Sequence, residues 1–435
     1  MLNKCIIAFL FIVFLAGSSH AEIKANNHPL ELGSAYFFDS GNDGLYLGYY
    51  AKSDDNVLYV KRLDKDIDKE TAITFENMKG QFVELSFLKG STLLTWRAKK
   101  GDGKKYVYVQ RSDDGGRTFK EPVVVNSAND ALLPLTTATD QKEKFYVVWV
   151  DERDAKHKFY MNYSLDGGKS FLKEDILLTD GFISGNLPNL LVKDERVDFF
   201  FLGSREGTKS GIYHKYSLDS GRTWSEAIAV EPELDWGPFK MTPVRSGDTL
   251  FVTWAGVEGL HGAYSRDGKT WNRIFFRETE GKDVNRFGVQ VHGSNIYIVA
   301  SWQTRLARDE KSIVYFYRSS DGGNTWTGAQ KLNTNEFNST SSVFPALGVS
   351  SDGKTLLAAW QDHRNIRGGI YINYSRDGGK TWLKEDIAFE KEPGKYNSAY
   401  PYIALLNNRF YLLRIGLTDD TVSNANLYME EVVIK

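Results

Sequence analysis

Short segments that alternate apolar and polar residues with a period of two recur along nearly the whole chain. KYVYVQ (105–110) and GIYINY (369–374) are two of them. Such alternation, rich in Tyr, Val and Ile, predicts half-buried β-strands, and no convincing long helix appears between them. Beyond a polar turn, each segment is followed by a short apolar piece, such as PVVVN (122–126), ILLTD (176–180) or IAFEK (387–391). Two more strands come before it. In one unit these are VFPALGVS (343–350) and TLLAAWQD (355–362), joined by a Ser-Asp-Gly turn. The repeating unit is expected to be four antiparallel strands in chain order.

The turn between the third and fourth strands is written six times. The copies are RSDDGGRTF (111–119), YSLDGGKSF (163–171), YSLDSGRTW (216–224), YSRDGKTW (264–271), RSSDGGNTW (318–326) and YSRDGGKTW (374–382). Their aspartates are Asp114, Asp166, Asp219, Asp267, Asp321 and Asp377, at intervals of 48 to 56 residues. A fixed interval of this size marks a structural repeat. Ser and Asp side chains can bond nearby backbone N–H groups, glycine supplies positive φ, and the closing aromatic can pack between sheets. These aspartates are expected to be structural rather than catalytic or metal-binding. The fourth copy has one residue fewer, so its turn is expected to be tighter.

This pattern resembles the Asp-box, or bacterial neuraminidase repeat, over essentially the whole chain after its first residues. The resemblance implies an all-β protein: a single β-propeller of four-stranded antiparallel blades. Two degenerate units extend the series. LYVKRLDKD (58–66) aligns with the strand and turn of the first full copy, with Leu63 and Lys65 in place of the motif Ser and Asp. At the other end, YPYIALLNN, RFYLLRIG and NLYMEEVV supply three strands before Lys435. An open sheet edge invites aggregation. A strand near IKANNHPLEL (23–32) pairing with the C-terminal strands would close the ring, giving eight blades, with seven as the alternative.

Strand parity places the repeated turns on one face, and the loops after the second strands on the other. Loops around a propeller mouth commonly carry function. The ends of the second strands hold Trp149/Arg153, Phe201/Arg205 and Trp360/Arg364 in an aromatic-x-x-x-Arg pattern. Arg97 and Arg305 sit near equivalent places, Arg286 just before an inner strand, and Asp151 and Asp362 two residues before their arginines. These eight charged residues are the candidate ligand-binding set. Arginines around one mouth can grip a carboxylate or sulfate bidentately. Alternatively, Asp151–Arg153 and Asp362–Arg364 pair with each other or with neighbouring blades. The tryptophans are read as inter-sheet packing.

Composition narrows the setting. One lysine, an apolar run (IIAFLFIVFLAG) and SSHA open the chain, which predicts a signal peptide over 1–21 and a single domain over 22–435, secreted or periplasmic. No later stretch is apolar enough to cross a bilayer. The single cysteine, Cys5, lies in that leader, so the mature chain has no thiol chemistry. Net charge is −2, which gives no reason to expect a nucleic-acid partner. No metal-ligand spacing is present and no cofactor is expected.

The resemblance to sialidases implies three arginines on the substrate carboxylate, a tyrosine nucleophile paired with a glutamate, and an aspartate as acid/base. Tyr400, in NSAYPYIALL, is loosely similar to the family's tyrosine segment, and it is the catalytic candidate. Two departures stand against it. No arginine precedes Arg62, so the family's first-strand arginine segment is missing. Pro401 follows the tyrosine as Pro188 and Pro345 follow residues of other inner strands, which makes Tyr400 look like a repeated strand feature. Glu84 and Glu258 are the conceivable partners. The reading that results is a propeller binding a glycan or protein ligand, including an anionic one, on its arginine-rich face without catalysis. An exo-acting sialidase-type hydrolase and a periplasmic assembly factor are the alternatives.

Overall fold

A computed structural model describes residues 16–17, 19–20, 32–41, 44–51, 57–62, 70–74, 78–100, 103–153, 156–256, 258–304, 312–334, 341–365, 367–390, 397–417 and 425–434. Most of the predicted leader, the segment IKANNHPLEL up to Glu31, Leu63, Lys65 and Arg305 lie outside these residues. The described chain is strand and turn, apart from one 3-10 turn at Arg277–Thr279. Among the described residues no helix is long and apolar enough to cross a membrane.

Besides a two-residue pairing near the N-terminus, seven antiparallel sheets of four strands and one of three follow one another along the chain. In each, spatial order follows sequence order, as alternating strands with short turns require. The first strands of sheets one to eight are Leu32–Gly41, Met78–Leu88, Ala131–Thr139, Ser184–Lys193, Lys240–Ser246, Lys282–His292, Ser342–Val349 and Asn397–Leu406. Sheet eight comprises Asn397–Leu406, Arg409–Leu417 and Ala425–Val432, the three-stranded unit expected from the sequence.

The chain divides into two compact units. One contains Gly33–Gly237 with sheets one to four, and the other Pro238–Lys435 with sheets five to eight. Within the first unit, apolar clusters lie between successive sheets. Tyr46 and Val60 meet Leu94 and Trp96, Val107 and Val109 meet Phe145 and Trp149, and Phe159 and Met161 meet Phe199 and Phe201. The second unit repeats the plan. Phe251 and Leu260 pack with Ile298 and Tyr317, Val299 and Phe316 with Ala358 and Trp360, and Ile370 with Ile403 and Leu412. Sheets two, three, six and seven are thus covered on both faces within their units, and a second strand in such a sheet reads as a continuous apolar run: Phe145–Asp151 is buried at every residue. The first strands of sheets two to four pack side by side, as do those of sheets five to eight.

Candidate functional site

The repeated aspartates organise turns. Asp166 accepts hydrogen bonds from the Ser164 and Ser170 hydroxyls at 2.7 and 2.6 Å, and from the Lys169 and Ser170 N–H groups at 3.0 and 2.9 Å. Ser164 Oγ in turn accepts from Gly168 N at 2.8 Å. Asp114, Asp219, Asp321 and Asp377 repeat this pattern. At Asp267 the bond reaches Thr270, three residues on instead of four, the tighter turn that the missing residue implied. The second glycine of the box is required twice over. Gly168 has φ +81° and a Cβ there would stand 2.6 Å from a methyl of Leu93 on the preceding sheet. These carboxylates are saturated by their own turns.

The ends of the second strands answer the question left open at Asp151 and Asp362. Arg153 donates from Nε to Asp151 Oδ1 at 2.9 Å and from one Nη to Asp151 Oδ2 at 2.9 Å and Asp175 Oδ2 at 2.7 Å. Its guanidinium lies 3.9 Å from the centre of the Tyr160 ring, and Tyr160 is the cross-strand partner of Trp149. Arg364 repeats this with Asp362 and Asp386, 3.8 Å over Tyr371, the partner of Trp360. Burial works to raise the pKa of Asp151. Hydrogen bonds from Arg153 outweigh it and hold the carboxyl below its usual range. Asp175 also accepts from Ser127 N and Oγ, and Asp386 from Thr334 N and Oγ1, residues that follow the last strand of the preceding sheet. Each arginine therefore ties its loop to its own sheet and the one before. Of the two readings, internal pairing is the one seen.

The remaining arginines have separate surroundings. Arg97 is buried and donates to the Ala131 carbonyl at 3.1 Å. Arg205 lies 4.6 Å over Phe182, and exposed Arg286 5.5 Å over Phe344.

A feature of the first strands brings other residues forward. Six of them slip register close to their starting end, at Gln81/Val83, Leu132/Leu135, Asn186/Asn189, Val284/Arg286, Val343/Ala346 and Ala399/Tyr402. Bulges of this kind re-aim side chains and are common beside functional sites. Three of them hold a bulky residue in the left-handed region just before a proline: Leu187, Phe344 and Tyr400, with φ of 51°, 54° and 53°. That conformation is costly for such residues and doubly so before proline. Phe344 and Tyr400 meet edge to face, with ring centres 4.5 Å apart. Lys240, at the start of sheet five, donates from Nζ to the Phe287 carbonyl at 2.8 Å, 4.8 Å from the Phe287 ring. Burial, then the neighbouring Arg286 charge, pushes its pKa down to about 8.

Sheet eight departs from the pattern. Arg414 pairs with Tyr428 where Trp360 pairs with Tyr371, so an arginine takes the register of the buried tryptophan. Its guanidinium lies 4.1 Å over Tyr428, with Glu390 at 2.8 Å and Glu430 at 3.1 Å. Burial raises the pKa of Glu390 in spite of Arg414.

Sequence reasoning did not select Asp175 or Asp386, although a signal was present. LKEDI occurs at 172–176 and again at 383–387, in the two units that also carry Trp-x-Asp-x-Arg. Lys240 and Phe344 carried no comparable signal, because a bulge and a contact between strands of different sheets set their positions.

Comparison with known proteins gives the following. The profile of the BNR repeat-like domain matches residues 184–412, more than half of the chain. None of the curated proteins matches. Solved structures that resemble the chain include an ulvan lyase at 10% identity (TM-score 0.47, 80% of this chain and 91% of that one). An α-L-arabinofuranosidase from Fusarium graminearum is 12% identical (TM-score 0.42, 81% and 92%). A Hadza microbial sialidase is also 12% identical (TM-score 0.40, 91% and 74%). With its repeated Ser-x-Asp turns and the match across sheets four to eight, the chain belongs to the BNR repeat-like family.

Proposed function

We propose that this protein is an exported, sialidase-like β-propeller that binds a glycan or protein ligand on the face where its first strands begin, without cleaving it. The eight successive sheets are its blades. Its N-terminal leader directs it to the periplasm or the exterior.

The observation that carries the reading is the state of the arginines. Arg153 and Arg364 are each neutralised by two aspartates, and Arg97 is held by a backbone carbonyl. A site that clamps a substrate carboxylate with several arginines needs them turned toward that carboxylate. The placement of Tyr400 also argues for scaffold, since Leu187 and Phe344 occupy the same bulge position in other sheets. The strain at Tyr400 is what favours the second reading, a glycoside hydrolase with Tyr400 as its nucleophile. A panel of fluorogenic α-sialosides, α-L-arabinofuranosides and other glycosides separates the two. The binding reading predicts no turnover by the wild-type protein. Turnover that disappears in Tyr400→Phe establishes the hydrolase instead.

A further inference from the structure

We infer that Lys240, Arg286, Phe344 and Tyr400 form a subsite for an acidic sugar, with its carboxylate or sulfate between the two cations and its apolar ring face against the two aromatic rings. The inference rests on the binding reading above and specifies its ligand. All four residues lie in the second compact unit, at the starting ends of the first strands of sheets five, six, seven and eight. They are linked in series. Lys240 is bound to the Phe287 carbonyl, next to Arg286, Arg286 lies over Phe344, and Phe344 meets Tyr400.

Charge points to an anion. Several other partly buried cations have carboxylates acting on them: Arg153 and Arg364 two each, Arg414 Glu390 and Glu430, and Arg97 and Lys215, though bound to carbonyls, the charges of Glu152 and of Glu226 and Asp180 respectively. Lys240 differs. Its hydrogen-bond partner is a carbonyl, the charged group acting on it is another cation, and no carboxylate among the described residues offsets it. A partly desolvated ammonium beside a guanidinium is unfavourable until an anion joins them. The aromatic half points to a sugar. A pyranose presents an apolar face and a polar edge, which matches a ring pair flanked by cations.

The test is equilibrium binding of the full-length protein to four probes of similar length: an oligogalacturonide, a sulfated galactan oligosaccharide, a neutral dextran oligosaccharide and a polyglutamate peptide. At least one acidic saccharide should bind, with the carboxylated and sulfated arms identifying the anion, and the dextran and the peptide should bind at least tenfold more weakly. Lys240→Met and Arg286→Gln should each lower affinity for the acidic saccharide by roughly tenfold or more, the effect of losing a charge-assisted contact. Lys240→Arg should retain it, which separates lost charge from lost folding. Phe344→Ala and Tyr400→Ala should each weaken saccharide binding. Acidic-saccharide binding unchanged in the Lys240→Met/Arg286→Gln double variant overturns the site but leaves the binding function standing. Preference for the peptide or the dextran overturns the acidic-sugar assignment alone. If the wild-type protein binds none of the four, the site and the glycan reading fall together.

Discussion

Arg153 and Asp175 are 22 residues apart in sequence and are joined at 2.7 Å, with the aspartate side chain fully buried. Four sheets later Arg364 and Asp386 repeat the pair at 2.6 Å. In both places the aspartate also receives a hydroxyl and an N–H from the preceding sheet, so one carboxylate latches two sheets. Asp175→Ala and Asp386→Ala should each destabilise the protein by about 3 kcal/mol, the scale of breaking a buried ion pair. Urea unfolding measures this, and a loss under about 1 kcal/mol would remove the latch.

Arg414 carries two carboxylates. Arg414→Ala strands Glu390 and Glu430 in a buried place and should cost about 3–5 kcal/mol. Adding Glu390→Gln and Glu430→Gln should recover much of that loss. Thermal unfolding of the single and triple variants decides it, and equal stabilities would show that the charges are not coupled.

The second box glycine cannot carry a side chain. Gly168→Ala and Gly379→Ala place a methyl 2.6 Å from Leu93 and Phe316 respectively, at positive φ. Each should cost about 2 kcal/mol or more through combined strain and overpacking. Gly90→Ala, at φ +79° with nothing near, isolates the backbone part and should cost less.

Acid should unlock the turns together. The Thr223 hydroxyl, then its N–H and the Ser217 hydroxyl, draw Asp219 down to about 2. At Asp166 and Asp377 the same hydrogen bonds overcome an opposing effect of burial and reach about 2. An unfolded aspartate titrates near ~3.9. A pKa lowered on folding contributes stability above the unfolded value, and that contribution disappears as pH falls through the folded one. Denaturation midpoints should therefore fall between about pH 4 and pH 2. Asp377→Asn should flatten this dependence, and a midpoint insensitive to pH over that window would contradict the assignment.

The same linkage predicts how ligand binding varies with pH. Burial and Arg286 hold Lys240 at about 8, so its charge is present below that pH and is lost above it. Affinity for an acidic saccharide should decline as pH rises through about 8. In Lys240→Arg the decline should vanish, because a guanidinium stays charged throughout.

How much of this could be read from the chain follows from how local each feature is. The Ser-x-Asp-x-Gly turn closes within a few residues, so its spacing marked the repeat, and the alternation of the segments around it indicated four-stranded units and a three-stranded last one. The Asp151–Arg153 pair was legible for the same reason, but its second carboxylate was not. Asp175 comes close only because the fourth strand returns alongside the third, and the cue was a five-residue repeat. Lys240, Arg286, Phe344 and Tyr400 are brought into sequence by packing between strands of four different sheets, and no spacing along the chain encodes that.

The protein is proposed to bind its ligand without cleaving it. The most direct test is the mass of an acidic oligosaccharide recovered after prolonged incubation with saturating wild-type protein. The ligand should be retained by the protein and recovered at its original mass. Shortened products, hydrolysed or unsaturated, would contradict the account.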